Sequence, residues 1–277
     1  MNFRSIVKSI DSLPSLSDLS IIVRHLYENG AENVNINKLT IAIESDSVLT
    51  ANMLKMINSP LYGLSKQVSS IKQAIVLLGT EMVYGIVIKF SIESTLIANL
   101  RPYGVSNDEF NTISRVQSKL TYEWLLKIDK NNAQFLGSLA LIMESGKLVV
   151  AQEIAHSGNI KDFLEGLKAS DSIIEYENRM FGTSSYYVSA LLFEHWHFDA
   201  SYVDMLKGLD FEHDEGEQYN RYIDILDVVR TVVNVKAMFT PESIESAADL
   251  VYETGLDIDE FLSVVDSVKE VYLKATL

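Results

Sequence analysis

The chain has 277 residues, 47% of them hydrophobic and 22% charged, which is the composition of a globular protein with a sizeable core and not of a disordered chain. Its formal net charge of −15 at pH 7 repels nucleic-acid phosphates at long range, so nucleic-acid binding is disfavoured. The absence of cysteine excludes disulfides, thiolate catalysis and cysteine-ligated metals, and it fits a cytoplasmic protein.

We expect neither a membrane span nor a secretory signal. No uninterrupted apolar run reaches the ~18 residues that suggest a membrane span. The first residues, Met1 to Ser5, lack the basic region, apolar core and small-residue cleavage site of a signal peptide. The sequence therefore predicts a cytoplasmic location.

The first predicted helices follow from apolar periodicity and from stop signals. Apolar residues recur at helical spacing between Leu16 and Leu26, and Gly30 marks the end of this helix. Asp46 is placed to cap another helix. That helix must stop before Pro60, because proline disfavours the α conformation of the residue that precedes it.

The next helix is predicted to begin after Ser70, which forms a capping box with Gln73 ahead of an apolar run. We expect this helix to continue, or to kink, through Gly79 and Gly85 toward Ile97. Helical signals therefore extend through most of the first hundred residues.

The remainder of the chain shows the same kind of signal. Ser106 and Glu109 form a further capping box. A long helix is predicted at about 217–238, and another begins at Pro241 and ends at Gly255. No succession of alternating strands and hairpin turns is present, so the predicted fold class is all-α.

The segment that joins two of these helices reads Asn58-Ser59-Pro60-Leu61-Tyr62-Gly63. It predicts a turn, because proline stops the preceding helix and Gly63 tolerates a positive φ angle. In a structural role, Asn58 ends the helix while Leu61 and Tyr62 dock it onto the next one. In the alternative role, the segment is an exposed recognition loop.

The order of these elements resembles the HDOD domain, a bacterial all-helical relative of the HD metal-dependent phosphohydrolases. The resemblance covers roughly residues 10–210, and its most specific parts are Leu13-Pro14, the Asp46 to Leu54 segment, the Asn58 to Gly63 turn and the Ser70 to Gly79 helix. It implies a multi-helical, HD-domain-like bundle. We expect an N-terminal helical lobe at 1–104, a degenerate HD-like lobe at 105–210 and a C-terminal helical extension at 211–277. The extension begins with the acidic residues Glu212, Asp214, Glu215 and Glu217.

The resemblance also locates the residues that would bind a catalytic metal. HD phosphohydrolases carry adjacent His and Asp just before a Gly-Lys pair, and Met143 and Glu144 stand at those two positions. Gln117 and Ser185 stand where further histidine ligands are expected. A thioether is a poor ligand for hard divalent cations, and one carboxylate cannot build the site alone.

We therefore predict a vestigial pocket without catalytic metal or cofactor. In this pocket Met143 packs as an apolar side chain. Glu144 is solvated, hydrogen-bonded or paired with a base such as Lys147, because a buried and unpaired carboxylate is costly. The pocket residues are Gln117, Met143, Glu144, Lys147 and Ser185.

The resemblance implies a non-catalytic regulatory protein of bacterial signal transduction. Such a protein would bind another signalling protein, or a small ligand, through a helical surface or through the vestigial pocket. One alternative is an active phosphohydrolase, such as a phosphodiesterase, with rearranged metal ligands. A further alternative is a sensor that binds a cyclic nucleotide without hydrolysing it.

Overall fold

The computed structural model describes residues 2–64, 66–210 and 219–276. Within these ranges the regular structure is helical, apart from one antiparallel bridge between Val233 and Met238, which confirms the all-α prediction. The α-helices in chain order are α1 (Phe3–Asp11), α2 (Asp18–Leu26), α3 (Ile36–Glu44), α4 (Ser47–Ile57), α5 (Ile71–Leu78), α6 (Thr80–Thr95), α7 (Asn107–Ile128), α8 (Ala133–Ile142), α9 (Gly146–Ser157), α10 (Ile160–Ala169), α11 (Ile173–Phe181), α12 (Ser185–His195), α13 (Ala200–Gly208), α14 (Asn220–Val232), α15 (Pro241–Thr254) and α16 (Ile258–Thr276). Short 3₁₀ helices lie at Ala31–Asn33, Pro60–Tyr62, Arg101–Tyr103 and Met143–Ser145.

Several helix starts coincide with the capping residues that the sequence predicted. The Asp46 side chain accepts two backbone N–H groups of the first turn of α4, both at 2.9 Å. The Ser70 hydroxyl accepts the Gln73 N–H at 3.2 Å. Ser106 and Glu109 bond reciprocally, at 2.7 and 3.2 Å. These side chains satisfy N–H groups that have no partner inside the helix.

The two glycines after α5 have different roles. Gly79 adopts φ +84° and ends α5, so the helix neither continues nor merely kinks there. Gly85 lies inside α6 without interrupting it. A Cβ atom on Gly85 would lie 2.7 Å from the Cβ of Ser138. The missing side chain of Gly85 therefore lets α8 approach α6 closely.

Helix α14 is shorter than the predicted helix at about 217–238. It ends at Val232, and the chain then turns so that Val233 pairs with Met238. The Asn234 side chain accepts the backbone N–H groups of Lys236 and Ala237 at 2.8 and 2.9 Å. This local bonding competes with helix continuation, so an apolar period alone overestimated the length of the helix.

The chain forms two compact units, each assembled from separated stretches of sequence. Unit 1 comprises Met1–Ser15, Thr95–Gln117 and Met143–Ile258, and unit 2 comprises Leu16–Ser94, Ser118–Ile142 and Asp259–Leu277. The sequence predicted consecutive segments at 1–104, 105–210 and 211–277. These cuts do not coincide with the units, because α7 gives its first half to unit 1 and its second half to unit 2. The acidic residues at the start of the predicted extension, 212–217, lie outside the described residues.

The core of unit 2 joins helices that are far apart in sequence. Trp124 of α7 is fully buried, and its ring lies 4.8 Å from that of Phe261 in α16. The Tyr27 hydroxyl donates to the Thr80 carbonyl at 2.6 Å, which links the end of α2 to the start of α6. The last helix of the chain is thus part of this core.

The core of unit 1 combines aromatic packing with buried polar groups. Phe163 contacts the rings of Tyr103, Tyr176 and Phe181, at centroid distances from 5.1 to 5.6 Å. The Trp196 indole N–H donates to the Pro14 carbonyl at 3.0 Å. Tyr103 also belongs to the polar cluster described below.

One stretch of the described chain is long and apolar enough to cross a membrane by length and composition. It is Ala133–Ser157, which contains α8 and α9, and 89% of its most apolar window is buried inside the protein. Such burial is the usual property of a core helix in a folded domain.

Candidate functional site: a buried polar cluster

A cluster of charged and polar side chains is buried in unit 1. Lys147, Glu144 and Glu177 are between 0 and 1% exposed. Tyr186 and Arg230 are 2% and 5% exposed. Charged side chains are almost never buried to this extent unless they are paired, so the partners of each group define the cluster.

The ammonium group of Lys147 lies at the centre of these contacts. It forms a short ion pair with Glu144 and donates to the Ser185 hydroxyl at 3.0 Å. It also lies 4.4 Å from the centroid of the Tyr186 ring and 5.7 Å from that of Tyr103, where cation–π attraction is effective. The cluster therefore contains a fixed internal cation.

Glu144 accepts hydrogen bonds from three side chains. Besides Lys147, the Gln117 amide and the Tyr186 hydroxyl each donate to Oε1 of Glu144 at 2.8 Å. Burial alone would raise the pKa of Glu144, but the Lys147 charge and these hydrogen bonds hold it below its ordinary value. Glu144 is therefore an ionised carboxylate that accepts three side-chain hydrogen bonds. Of the three environments that the sequence left open for Glu144, the structure shows two together, namely the hydrogen bonds and the ion pair with Lys147.

Glu177 is a second buried carboxyl group in this cluster. It accepts from the Tyr103 hydroxyl and from the Ser185 backbone N–H, both at 2.6 Å. Burial raises the pKa of Glu177 above its ordinary value, against the opposing effect of Lys147 and of these hydrogen bonds. The two carboxyls thus differ: Glu144 is held ionised, while Glu177 retains its proton to higher pH.

Helix α14 and the residue after it close the cluster. The Arg230 guanidinium lies 4.5 Å from the centroid of the Tyr186 ring and donates to the Leu209 carbonyl at 2.8 Å. The Gln117 amide, which binds Glu144, also donates to the Val233 carbonyl at 2.8 Å. The segment that follows the HD-like part of the sequence therefore supplies part of the cluster wall.

Gly146 allows the segment that carries Glu144 and Lys147 to pack directly on α12. Its N–H donates to the Ser189 hydroxyl at 2.7 Å. A Cβ atom on Gly146 would lie 1.9 Å from the Ser185 carbonyl oxygen and 2.6 Å from the Ser189 nitrogen. Both are backbone atoms, so no side-chain adjustment could make room.

The residues at the HD ligand positions do not fit a divalent metal ion. Met143 is fully buried and offers only a thioether. The Glu144 carboxylate and the Ser185 hydroxyl are both bonded to the Lys147 ammonium, so a metal ion would have to displace a buried positive charge. Within the described residues, no group of three or more His, Asp or Glu side chains is arranged to hold a metal ion.

The structure brings the predicted pocket residues together and adds others. Gln117, Glu144, Lys147 and Ser185 share one hydrogen-bond network. Sequence reasoning missed Tyr103, Glu177, Tyr186 and Arg230. Only Arg230 carried a clear signal, because it is the charged residue in the apolar run Val228-Val229-Arg230-Thr231-Val232-Val233.

The Asn58 to Gly63 turn lies in unit 2, apart from this network. The Asn58 side chain donates to the Leu54 and Val68 carbonyls, both at 2.8 Å, and accepts the Val68 N–H at 2.7 Å. Leu61 is buried, Tyr62 is half-buried, and Gly63 adopts φ +63°. Ser59 and Pro60 begin the 3₁₀ turn. The turn borders an open cleft of about 550 Å³.

Comparisons with known proteins identify a family and several structures of similar fold. The sequence model of the HDOD domain matches residues 13–209. A structure from Shewanella amazonensis SB2B, provisionally described as a phosphohydrolase, is similar with a TM-score of 0.74 and 15% identity, covering 99% of this chain and 98% of that one. An HDOD domain protein of unknown function from Geobacter sulfurreducens has a TM-score of 0.72 and 17% identity, with 98% and 95% covered.

A structure from Marinobacter aquaeolei VT8, provisionally described as a signal transduction protein, has a TM-score of 0.68 and 18% identity. The similar region covers 99% of this chain and 65% of that one. At these identities the likeness concerns the fold alone. No curated protein matches the sequence.

Proposed function

This chain belongs to the HDOD domain family, and on that premise we propose that it is a non-catalytic, cytoplasmic member that regulates bacterial signal transduction by binding another protein. The all-α fold is shared with a structure provisionally described as a signal transduction protein and with one provisionally described as a phosphohydrolase. The choice between these two roles depends on the chemistry of the polar cluster.

The observation that carries the proposal is the Lys147 ammonium. It is bonded to the one carboxylate at an HD ligand position and to the Ser185 hydroxyl. A metal-dependent hydrolase needs about three protein ligands around its ion and an open coordination position for water or substrate. Here the two possible metal ligands are bonded to the positive charge of a lysine side chain instead, which supports a structural role for the cluster.

The burial of the cluster supports the same conclusion. Glu144, Lys147 and Ser185 are each at most 1% exposed, so a phosphoester could reach them only if the packing around them opened. General acid–base catalysis requires a side chain within hydrogen-bond reach of the substrate. In the folded protein these side chains are not accessible to a substrate.

The decisive experiment measures metal content and hydrolysis together. The full chain, purified without chelators, is assayed on phosphomonoesters and cyclic dinucleotides with added manganese, iron or magnesium. We expect substoichiometric metal and no turnover above buffer. The variant Glu144→Gln is compared with Glu165→Gln, a carboxylate that is 67% exposed, as the matched control.

Stoichiometric metal, or turnover that Glu144→Gln abolishes and Glu165→Gln preserves, would replace this proposal with the phosphohydrolase alternative. The sensor alternative has its own signature. A ligand that binds only the native state raises stability by RT ln(1 + [L]/Kd). A saturable rise in melting temperature with a cyclic nucleotide, without turnover, would therefore favour the sensor.

A further inference from the structure

Unit 2 exposes apolar side chains on two helices that pack against each other, α3 and α5. Ile41 on α3 is 70% exposed, and Val76 on α5 is 69% exposed. The Lys72 ammonium donates to the Asn37 side chain at 3.3 Å, which joins the outer surfaces of the two helices. We name the surface formed by Asn37, Ile41, Lys72, Val76 and Leu77 the α3–α5 face.

Both exposed apolar side chains lie near the hydrogen bond that joins the two helices. Ile41 lies four residues after Asn37, and Val76 lies four residues after Lys72. Each is therefore about one helical turn, roughly 6 Å along its own helix axis, from a residue of the hydrogen bond that joins the helices. Both lie within the span of a single partner helix, and Leu77, which is 51% exposed, extends the apolar area.

The segment that carries this face differs in charge from the rest of the chain. Residues 34–79 contain four lysines and two carboxylates, a net charge of +2, whereas the whole chain carries −15. The lysines are all exposed, and among the described residues none of them forms an ion pair. They are Lys38, Lys55, Lys66 and Lys72. Of the two carboxylates, Asp46 caps α4, and Glu44 is exposed three residues after Ile41 on α3.

We propose that the α3–α5 face binds an acidic amphipathic helix of a partner protein. This inference rests on the proposed function and specifies the chemistry of the partner. Apolar residues at i, i+3 and i+4 of the partner would cover Ile41 and Val76, while its carboxylates would face Lys38 and Lys72. Exposed apolar side chains supply the contact area, and charge complementarity selects acidic partners and speeds their association.

The test uses the full chain and two designed helical peptides of 18 residues. Both have leucine at the same i, i+3, i+4 and i+7 positions. One has glutamate and the other lysine at the remaining positions. Fluorescence anisotropy measures binding at several salt concentrations. We expect the acidic peptide to bind about ten-fold more tightly or better, and its advantage to shrink as salt rises.

Variants then assign the binding to the face. The double variant Ile41→Ser/Val76→Ser should weaken the acidic peptide about ten-fold, and Lys72→Glu should weaken it about three-fold with a smaller salt dependence. The matched controls are Ile97→Ser, at a residue 84% exposed, and Lys161→Glu, at a side chain 85% exposed. Both controls lie in unit 1 and should bind within about two-fold of the parent chain.

Several results would overturn the inference. These are no binding of the acidic peptide, equal binding of the two peptides, or equal losses in the face variants and the controls. Sedimentation that shows self-association abolished by Ile41→Ser/Val76→Ser would assign the face to a second copy instead. Binding to vesicles containing phosphatidylserine, but to neither peptide, would assign it to a membrane surface. None of these results bears on hydrolysis, so the metal and turnover assays still decide the proposed function separately.

Discussion

The polar cluster around Lys147 and the Asn58 to Gly63 turn are built on opposite principles. The turn is local: one asparagine side chain bonds backbone groups at Leu54 and Val68. The cluster draws Gln117, Glu144 and Arg230 from different helices and buries an amide together with two charged groups. The stability of a local turn is insensitive to changes elsewhere in the chain. The stability of a buried charge depends on each of its hydrogen-bond and ion-pair partners. The turn can therefore be recognised in a sequence, whereas the partners and charge state of the cluster depend on the fold.

Removal of the Lys147 charge should be the most damaging change. Lys147→Met leaves Glu144 buried without its cation, and we expect a loss of about 3–5 kcal/mol in the free energy of unfolding. Urea unfolding measures it. The double variant Glu144→Gln/Lys147→Met should recover a large part of that loss, because no uncompensated charge remains. If the double variant is as unstable as the two single losses combined, the ion pair is not the organising interaction of the cluster.

A methyl group added at Gly146 should cause the next largest loss of stability. Its Cβ would overlap the Ser185 and Ser189 backbones, so Gly146→Ala must separate α9 from α12 and should cost about 3 kcal/mol. The matched control is Gly166→Ala, where the three atoms nearest to the added Cβ all belong to the Tyr176 side chain and not to a backbone. A melting temperature for Gly146→Ala no lower than that of the control would contradict the close packing.

Substitutions of Asn58 test the contribution of the turn to stability. Asn58→Ala removes the hydrogen bonds to Leu54 and Val68 and should cost about 2 kcal/mol of unfolding free energy. Asn58→Asp keeps the acceptor for the Val68 N–H but loses the donor, so it should retain part of that stability. Equal losses in the two variants would show that the accepted bond contributes nothing.

Glu144 and Glu177 should make the free energy of unfolding depend on pH in opposite directions. Because the pKa of Glu144 is lowered by folding, its contribution is present above its unfolded pKa and is lost as pH falls through the folded pKa. Because the pKa of Glu177 is raised, its contribution is present below its unfolded pKa and is lost as pH rises through the folded pKa.

Glu177→Gln mimics the protonated form of that group. Above the unfolded pKa of Glu177, the free energy of unfolding of the parent chain should fall by up to about 1.4 kcal/mol per pH unit. The variant should lack this decline. Denaturant unfolding across a pH series measures this slope. An unchanged slope in Glu177→Gln would mean that Glu177 is ionised in the folded protein across that range.

The smallest expected effect concerns Tyr62 and separates the two roles of the turn. Tyr62 is half-buried, and in the structural role Tyr62→Ala should cost about 1 kcal/mol. Thermal unfolding measures it. A melting temperature equal to that of the parent chain would favour the recognition loop instead, and would weaken the contrast between a structural turn and a charged cluster.

The features predictable from the sequence were those encoded within a few neighbouring residues. Asp46, Ser70 and the Ser106–Glu109 pair mark helix starts because each cap bonds backbone groups two or three residues away. The predicted pocket positions came from resemblance, and four of the five share one network. The end of α14 was misjudged, because the side-chain bonding of Asn234 competes with an apolar period that continues past it.

What could not be predicted depends on contacts across long separations. Glu177 gives no local sign that Tyr103 will donate to it from 74 residues away. Nor does the sequence of α7 reveal that its two halves belong to different units. Such relations arise only when helices pack, so the sequence alone indicated a cluster with fewer charges than the folded chain contains.

The pairing of Trp124 with Phe261 also bears on how the protein is made. Synthesis proceeds at about 5–20 residues per second and exposes N-terminal segments first. The core of unit 2 remains incomplete until α16 has left the ribosome, which takes roughly seven to thirty seconds after α7 has emerged. During that interval the apolar surface around Trp124 is available to chaperones. A nascent chain halted before α16 should therefore be captured by them more strongly than the finished protein.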